Sequence, residues 1–210
     1  MNVEVIETPE RAFLSCAETA KLLRAELKQT FPGVKFSVRS STYSGGASID
    51  VGWTDGPSDA EVSRIAQCYG GARFDGMIDM ATYVQHWLED DGTVTLAHDG
   101  GTDRSRGSRS ECFGSRRTPG ARLVHLGADY VFTNRKLSDE LVEYCAGLVQ
   151  PNGTFSSTRA ERCDGCGNWP SPEAACYVVE VDDGLRRTLL VCSPTCGGRL
   201  IARYRSEVAA

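Results

Sequence analysis

VCSPTC, residues 191–196, sets two cysteines around a Ser-Pro-Thr insert, and RCDGCGN, residues 162–168, supplies a second pair. Two residues lie between Cys163 and Cys166, three between Cys192 and Cys196, and 25 residues separate the pairs. Two cysteine pairs at this spacing form the donor set of a tetrahedral metal site, with zinc held about 2.3 Å from each sulfur. The short first pair is a knuckle, and Gly165 and Gly167 let its backbone turn tightly. Between the pairs, residues 177–181 (YVVEV) and 188–192 (TLLVC) are β-branched and apolar, joined by Asp182-Asp183-Gly184. That pattern predicts a hairpin. After Cys196, Leu200, Ile201, Tyr204 and Val208 recur at helical spacing. Knuckle, hairpin and a second ligand pair opening a helix predict a treble-clef-like, four-cysteine zinc finger over residues 162–208.

Four thiolates close the coordination shell, whereas a catalytic zinc keeps a position open for water or substrate. His86, His98 and His125 all lie outside this segment, and neither His-Glu-x-x-His nor the deaminase His-x-Glu/Pro-Cys-x-x-Cys pattern occurs. The metal is therefore expected to be a single structural zinc held by Cys163, Cys166, Cys192 and Cys196. A segment of this size has a marginal core, so metal binding is expected to supply much of its folding free energy.

Working back toward the start, Ser15 and Glu18 form a capping box before the amphipathic run TAKLLRAELKQTF. Residues 34–39 (VKFSVR) and 47–53 (ASIDVGW) alternate and predict a hairpin; Ser58 and Glu61 form a second capping box before EVSRIAQCY. Residues 72–98 predict short strands and a turn. Residues 99–120 are Gly-, Ser- and Arg-rich with one large apolar residue, Phe113, which reads as a mobile loop. A strand signal returns in LVHL and DYVFTNRKLS, Ser138 caps a helix in ELVEYCAGLV, and residues 150–161 read as a polar linker. The fold class is α+β: an α-β-β-α-containing domain over residues 13–149, the linker, then the finger.

Net charge is −5, but residues 1–103 carry 16 acidic against 8 basic side chains, so the acidity lies in the first half. Such a surface repels nucleic acid and attracts basic partners. No apolar run is long enough for a membrane helix, and the acidic start lacks the order of a secretory signal. The expected setting is cytoplasmic, without membrane contact. Nine cysteines without such a signal argue against a disulfide framework, so Cys16, Cys68, Cys112 and Cys145 read as small core residues.

KQTFPGVKFSVRSSTYSGGASIDVGWTDGPSDAEV, then FDGMIDMATY and the later DYVFTNRKLS, resemble the large polyvalent-protein-associated domain numbered twenty-nine. The resemblance covers roughly residues 13–148 and is strongest over 28–84, in FPGVKFSVRS, WTDGP and FDGM. It implies a phage or mobile-element setting, the host cytoplasm as location and a role against host defences. It implies no catalytic residues.

The function expected is a non-enzymatic binding protein engaging a host factor, with a protein partner favoured by the acidic domain. A second class is direct nucleic-acid binding, through Arg116 and Arg117 of the loop (with Arg104, Arg106 and Arg109) and Arg199 and Arg203 of the finger helix. A third is an enzyme of unknown type, for which no phosphate-cradling loop or nucleophile elbow speaks. Asp75 and Asp79 read as solvated or capping carboxylates, Cys112 as a thiol without an identifiable base, and Tyr43, Trp53, Tyr69 and Phe74 as core aromatics. Sequence sets neither oligomeric state nor the role of Cys176.

Overall fold

The protein is described by a computed structural model that covers residues 12–98, 112, 114–154, 163–164, 166–167, 175–181 and 187–204. In chain order the elements are β1 (Ala12–Ser15), α1 (Cys16–Thr30), β2 (Ser37–Tyr43), β3 (Gly46–Thr54), α2 (Asp59–Ala66) and a 3₁₀ turn (Gln67–Tyr69). They continue through β4 (Ala72–Asp75), β5 (Met80–Tyr83), β6 (Gln85–Leu88), β7 (Val94–His98), β8 (Arg122–Gly127) and β9 (Tyr130–Lys136). The chain then forms α3 (Asp139–Ala146), β10 (Gln150–Thr154), β11 (Ala175–Val181), β12 (Arg187–Val191) and α4 (Pro194–Tyr204). The architecture is mixed α+β, as expected.

Two compact units divide within β3 and β9: Met1–Gly52 with Ala60–Asn134, and Trp53–Asp59 with Arg135–Ala210. Residues 135–149, which the sequence groups with the first domain, thus lie in the second unit. In the first unit α1 starts where the capping box places it. The Ser15 side chain accepts from the Glu18 amide (3.3 Å), and the Ser15 amide donates to the Glu18 carboxylate (2.8 Å). The helix turns Ala20, Leu23 and Leu27 inward, and Ile49, Val51, Val62, Tyr69, Val124 and Leu126 are buried with almost no exposure. Tyr69 Oη donates to Glu26; burial, then the Glu26 charge, pushes the phenol far above its usual range.

One sheet has the order β1-β8-β6-β7, with β1 parallel to β8 (Ala12 opposite Val124). Another is β2-β3-β9, where the expected hairpin aligns Tyr43 with Gly46 at its turn. The β4–β5 hairpin stands as a two-stranded ribbon. Its turn leaves Phe74, Met77, Ile78 and Met80 exposed, while Asp75 is fully buried and accepts from the Met77 amide (2.9 Å). Asp75 is thus a capping carboxylate, but an interior one; Asp79 takes a left-handed φ of 51° in the same turn. Trp53 and Tyr69 are core aromatics, whereas Tyr43 and Phe74 are half or more exposed.

Cys68 and Cys112 form a disulfide, with Cα atoms 5.2 Å apart. This corrects the reading of all scattered cysteines as separate core residues. The two thiols lie 44 positions apart, so no local pattern announces the pair. They pack with buried Val84 and Leu96.

In the second unit the sheet order is β10-β11-β12. Residues 150–154, expected in the linker, form its edge strand, where the missing amide of Pro151 is tolerated. The remainder of that linker lies outside the described residues. Among the described residues no helix is long and apolar enough to cross a membrane.

Candidate metal centre

The four cysteines singled out by spacing come together. The sulfurs of Cys163, Cys166, Cys192 and Cys196 all lie within 4.8 Å of one another. Cys166 Sγ is 3.8 Å from Cys192 Sγ, and Cys192 Sγ is 3.6 Å from Cys196 Sγ. A tetrahedron whose corners sit about 2.3 Å from a central zinc has edges of about 3.8 Å. A disulfide requires about 2.05 Å. The spacing therefore fits one tetrahedral ion and no bond between sulfurs; the set can hold a metal ion, with all four donors being thiols.

Each ligand is placed by identifiable local structure. In the knuckle the Gly167 amide donates to the Cys163 carbonyl (2.7 Å), and Gly167 adopts a φ of 73° that favours glycine. Asp164 ties the knuckle to β12: its amide donates to the Leu190 carbonyl (2.9 Å), and its carboxylate accepts from the Leu190 amide (2.7 Å). On the other side Ser193 opens α4. Its hydroxyl accepts from the Cys196 amide (3.1 Å), its carbonyl from the Gly197 amide (3.0 Å), and Pro194 occupies the first helical position. Cys196 is thereby fixed in the first turn of α4.

Burial pushes the Cys163 thiol up, but donors from the Cys166 and Cys192 backbone outweigh it and bring the thiol down to about 7. The Cys192 amide lies 3.3 Å from that sulfur. Burial also raises Cys192, and its bonds to Cys163, Cys196 and Cys166 add to this, pushing it up to about 12. A divalent ion among closely spaced thiolates would offset their mutual repulsion.

The centre rests on a small core. Val149, Cys163, Val179, Val191 and Leu200 are buried together, with Cys192 and Cys196 packed against them. On its other side α4 meets α3, where Leu141, Cys145 and Ala202 are buried. Gly197 and Gly198 allow this approach. A Cβ on Gly198 would come 2.4 Å from the Val142 carbonyl oxygen and 2.7 Å from the Ala146 amide nitrogen, and one on Gly197 would reach Val149 at 2.6 Å.

Sequence reasoning missed Arg135, which holds the far end of α4. Its guanidinium donates to the carbonyls of Asp55 (3.1 Å), Gly56 (2.9 Å), Ala202 and Arg203 (3.1 Å). Two of these are terminal helix carbonyls that lack an intrahelical donor. The Asp55 carboxylate in turn accepts from the Ser138 amide (2.8 Å), and the Trp53 indole donates to the Pro57 carbonyl (2.9 Å). The WTDGP and NRKLS pieces are thus one joined structure. An arginine three residues before a helix cap was the only sequence signal available for this role.

Of the expected arginines, Arg199 and Arg203 are exposed, four apart on α4. Arg116 is engaged within its own loop and Arg117 by Glu89, just after β6. Arg116 donates to the carbonyls of Thr118 (3.0 Å) and Pro119, and the Arg117 amide donates to Glu89 (3.0 Å) beside its guanidinium (3.8 Å). Arg104, Arg106 and Arg109 lie outside the described residues, as does the side chain of Cys176.

The fold and centre define an α+β protein with a four-cysteine, metal-competent site at its C-terminal end. The profile of the family described as "Large polyvalent protein associated domain 29" matches residues 14–138, more than half of the chain. The chain belongs to this family. Its four clustered cysteines all lie beyond the matched residues. No curated protein and no solved structure matches the chain.

Proposed function

We propose that the chain is a non-enzymatic, zinc-containing binding protein of a phage or mobile element, which engages a host protein and acts against host defence. The observation that carries the reading is the closed set of four cysteine sulfurs at tetrahedral spacing. Cys163, Cys166, Cys192 and Cys196 would hold the ion; its part is to fix the knuckle to the start of α4. Knuckle, β11–β12 hairpin and α4 then form a treble clef, a rigid surface displayed by the metal. Family membership supports the mobile-element setting, and the acidic first 103 residues support a basic protein partner.

Capture from host lysate, with and without nuclease and at low and moderate salt, tests the partner. A discrete protein retained after nuclease is the expected result. Recovery of nucleic acid alone, lost on nuclease or added salt, would contradict it and favour the second reading. That reading rests on Arg199 and Arg203, whose shared exposed face on α4 suits a phosphate backbone. It calls for steep salt dependence that weakens in Arg199→Ala and Arg203→Ala.

A further inference from the structure

The first unit carries an open pocket of about 700 Å³ between β1, the turn end of the β2–β3 hairpin, β8 and the turn that follows it. This volume is within the range of sites that enclose a side chain or a small ligand. Its walls are aromatic. Phe13 stacks on His125 with ring centroids 5.5 Å apart, and Tyr83 meets the same imidazole edge-on at 5.1 Å. His125 is held by a hydrogen bond between its Nδ1 and the Val84 carbonyl (3.1 Å). Phe13 is 68% exposed and Tyr83 73%, so both rings present apolar surface to solvent without covering a core.

The floor is Gly46, over which Tyr43 and Asp129 converge. A Cβ there would sit 2.7 Å from Asp129 Oδ2 and 3.0 Å from the Tyr43 ring. Asp129 is oriented by the Ala47 amide, which donates to Oδ2 at 2.8 Å. Its Oδ1 has no protein donor among the described residues. No lysine or arginine lines the pocket among the described residues. One fixed carboxylate and three exposed aromatic rings, with no lysine or arginine among the described lining residues, make a site for a flat, weakly hydrated cation.

We infer that this pocket takes the guanidinium of an arginine side chain presented by a basic protein partner. A guanidinium stacks on aromatic faces and pairs with a carboxylate through its planar fork, and it loses its water more readily than an ammonium. A nucleotide would also stack, but its phosphate would meet Asp129 and the acidic excess of residues 1–103. The inference rests on the proposed reading that the partner is a protein, and it specifies which chemistry of that partner is read.

The test uses the full chain, isotope-labelled, titrated with acetyl-Gly-Arg-Gly-amide and followed by amide chemical shifts. Parallel titrations use the citrulline peptide, which keeps the shape without the charge, the lysine peptide and adenosine monophosphate. The arginine peptide is expected to shift resonances of residues 12–16, 42–47 and 125–129, with at least tenfold weaker binding of the citrulline peptide. Asp129→Asn keeps an acceptor for the Ala47 amide and is expected to cost at least fivefold. Tyr83→Ala, at an exposed position, is expected to cost at least threefold while unbound spectra stay folded. Equal binding of arginine and citrulline peptides, unchanged binding in both variants, or binding of the nucleotide alone would overturn the assignment. If a host protein is captured equally by wild type and Asp129→Asn, the partner reading stands and the pocket assignment falls. If the peptide binds as expected but no host protein is retained, the pocket stands and the host-partner reading falls.

Discussion

In the first unit Leu23, Leu27, Ile49, Val62 and Leu126 are each buried without measurable exposure, drawn from a long helix, a hairpin, a short helix and a sheet. The cluster around the four cysteines has five buried members, Val149, Cys163, Val179, Val191 and Leu200, and one of these is itself one of the four clustered cysteines. The first core excludes water by apolar area, at roughly 25 cal/mol per Å² removed from solvent. The second is too small to rely on that, and its chain ends are fixed by sulfur, by Arg135 and by a close helix crossing at Gly198. The difference teaches that the chain has a covalent cross-link in the first unit and, in the second, four cysteines placed so that a metal could supply another. A disulfide secures a region that already has an apolar core, and the proposed metal centre would supplement a smaller one.

The sharpest way to break this contrast is to remove one sulfur. Cys163→Ser is expected to cost the second unit most of its metal-derived stability, on the order of 10 kcal/mol by analogy with zinc-finger peptides. Amide spectra are expected to lose the dispersion of β11, β12 and α4 while first-unit resonances persist. Chelation of the wild-type protein should reproduce the pattern.

The converse change acts on the other unit. Cys68→Ala with Cys112→Ala opens a 44-residue connection, worth up to about 4 kcal/mol in chain entropy. Denaturant melts should show a destabilised first unit and an unchanged metal content.

A smaller effect is expected at the α3–α4 crossing. Gly198→Ala gains about 1 kcal/mol of helix propensity but drives a methyl into the Val142 carbonyl and the Ala146 backbone. Overpacking of this kind costs about 1–3 kcal/mol, so the net expectation is destabilisation of the second unit alone. A higher melting temperature would show that the crossing has slack.

The smallest expected effect belongs to Glu89. Burial raises its carboxyl, but the amides of Arg117 and Thr118, the Thr118 hydroxyl and the Arg117 charge together outweigh this and lower it. A carboxylate depressed on folding contributes stability that is fully present above its unfolded pKa and lost as pH falls through the folded one. The first unit should therefore weaken in acid below the ordinary glutamate range, and Glu89→Gln should flatten that dependence.

Sequence made the local features legible because their causes are local. The Ser15–Glu18 box, the β2–β3 hairpin, the Ser138 cap and the cysteine pairs each depend on residues a few positions apart. What escaped depends on distant partners. β1 is four residues whose pairing with β8 lies more than a hundred positions away. β10 hides in a polar stretch because an edge strand needs only one neighbour. Cys68 finds Cys112 across the chain, and Arg135 finds α4 almost seventy residues on. The grouping of α3 with α4 depended on two glycines that look, in sequence, like poor helix formers.

The most direct test of the central claim is the metal content of the purified full chain, measured by elemental analysis beside a count of reactive thiols. The account expects one zinc per chain, with Cys163, Cys166, Cys192 and Cys196 protected until a chelator is added. A folded, metal-free protein whose four clustered thiols react freely without loss of β11, β12 and α4 would contradict it.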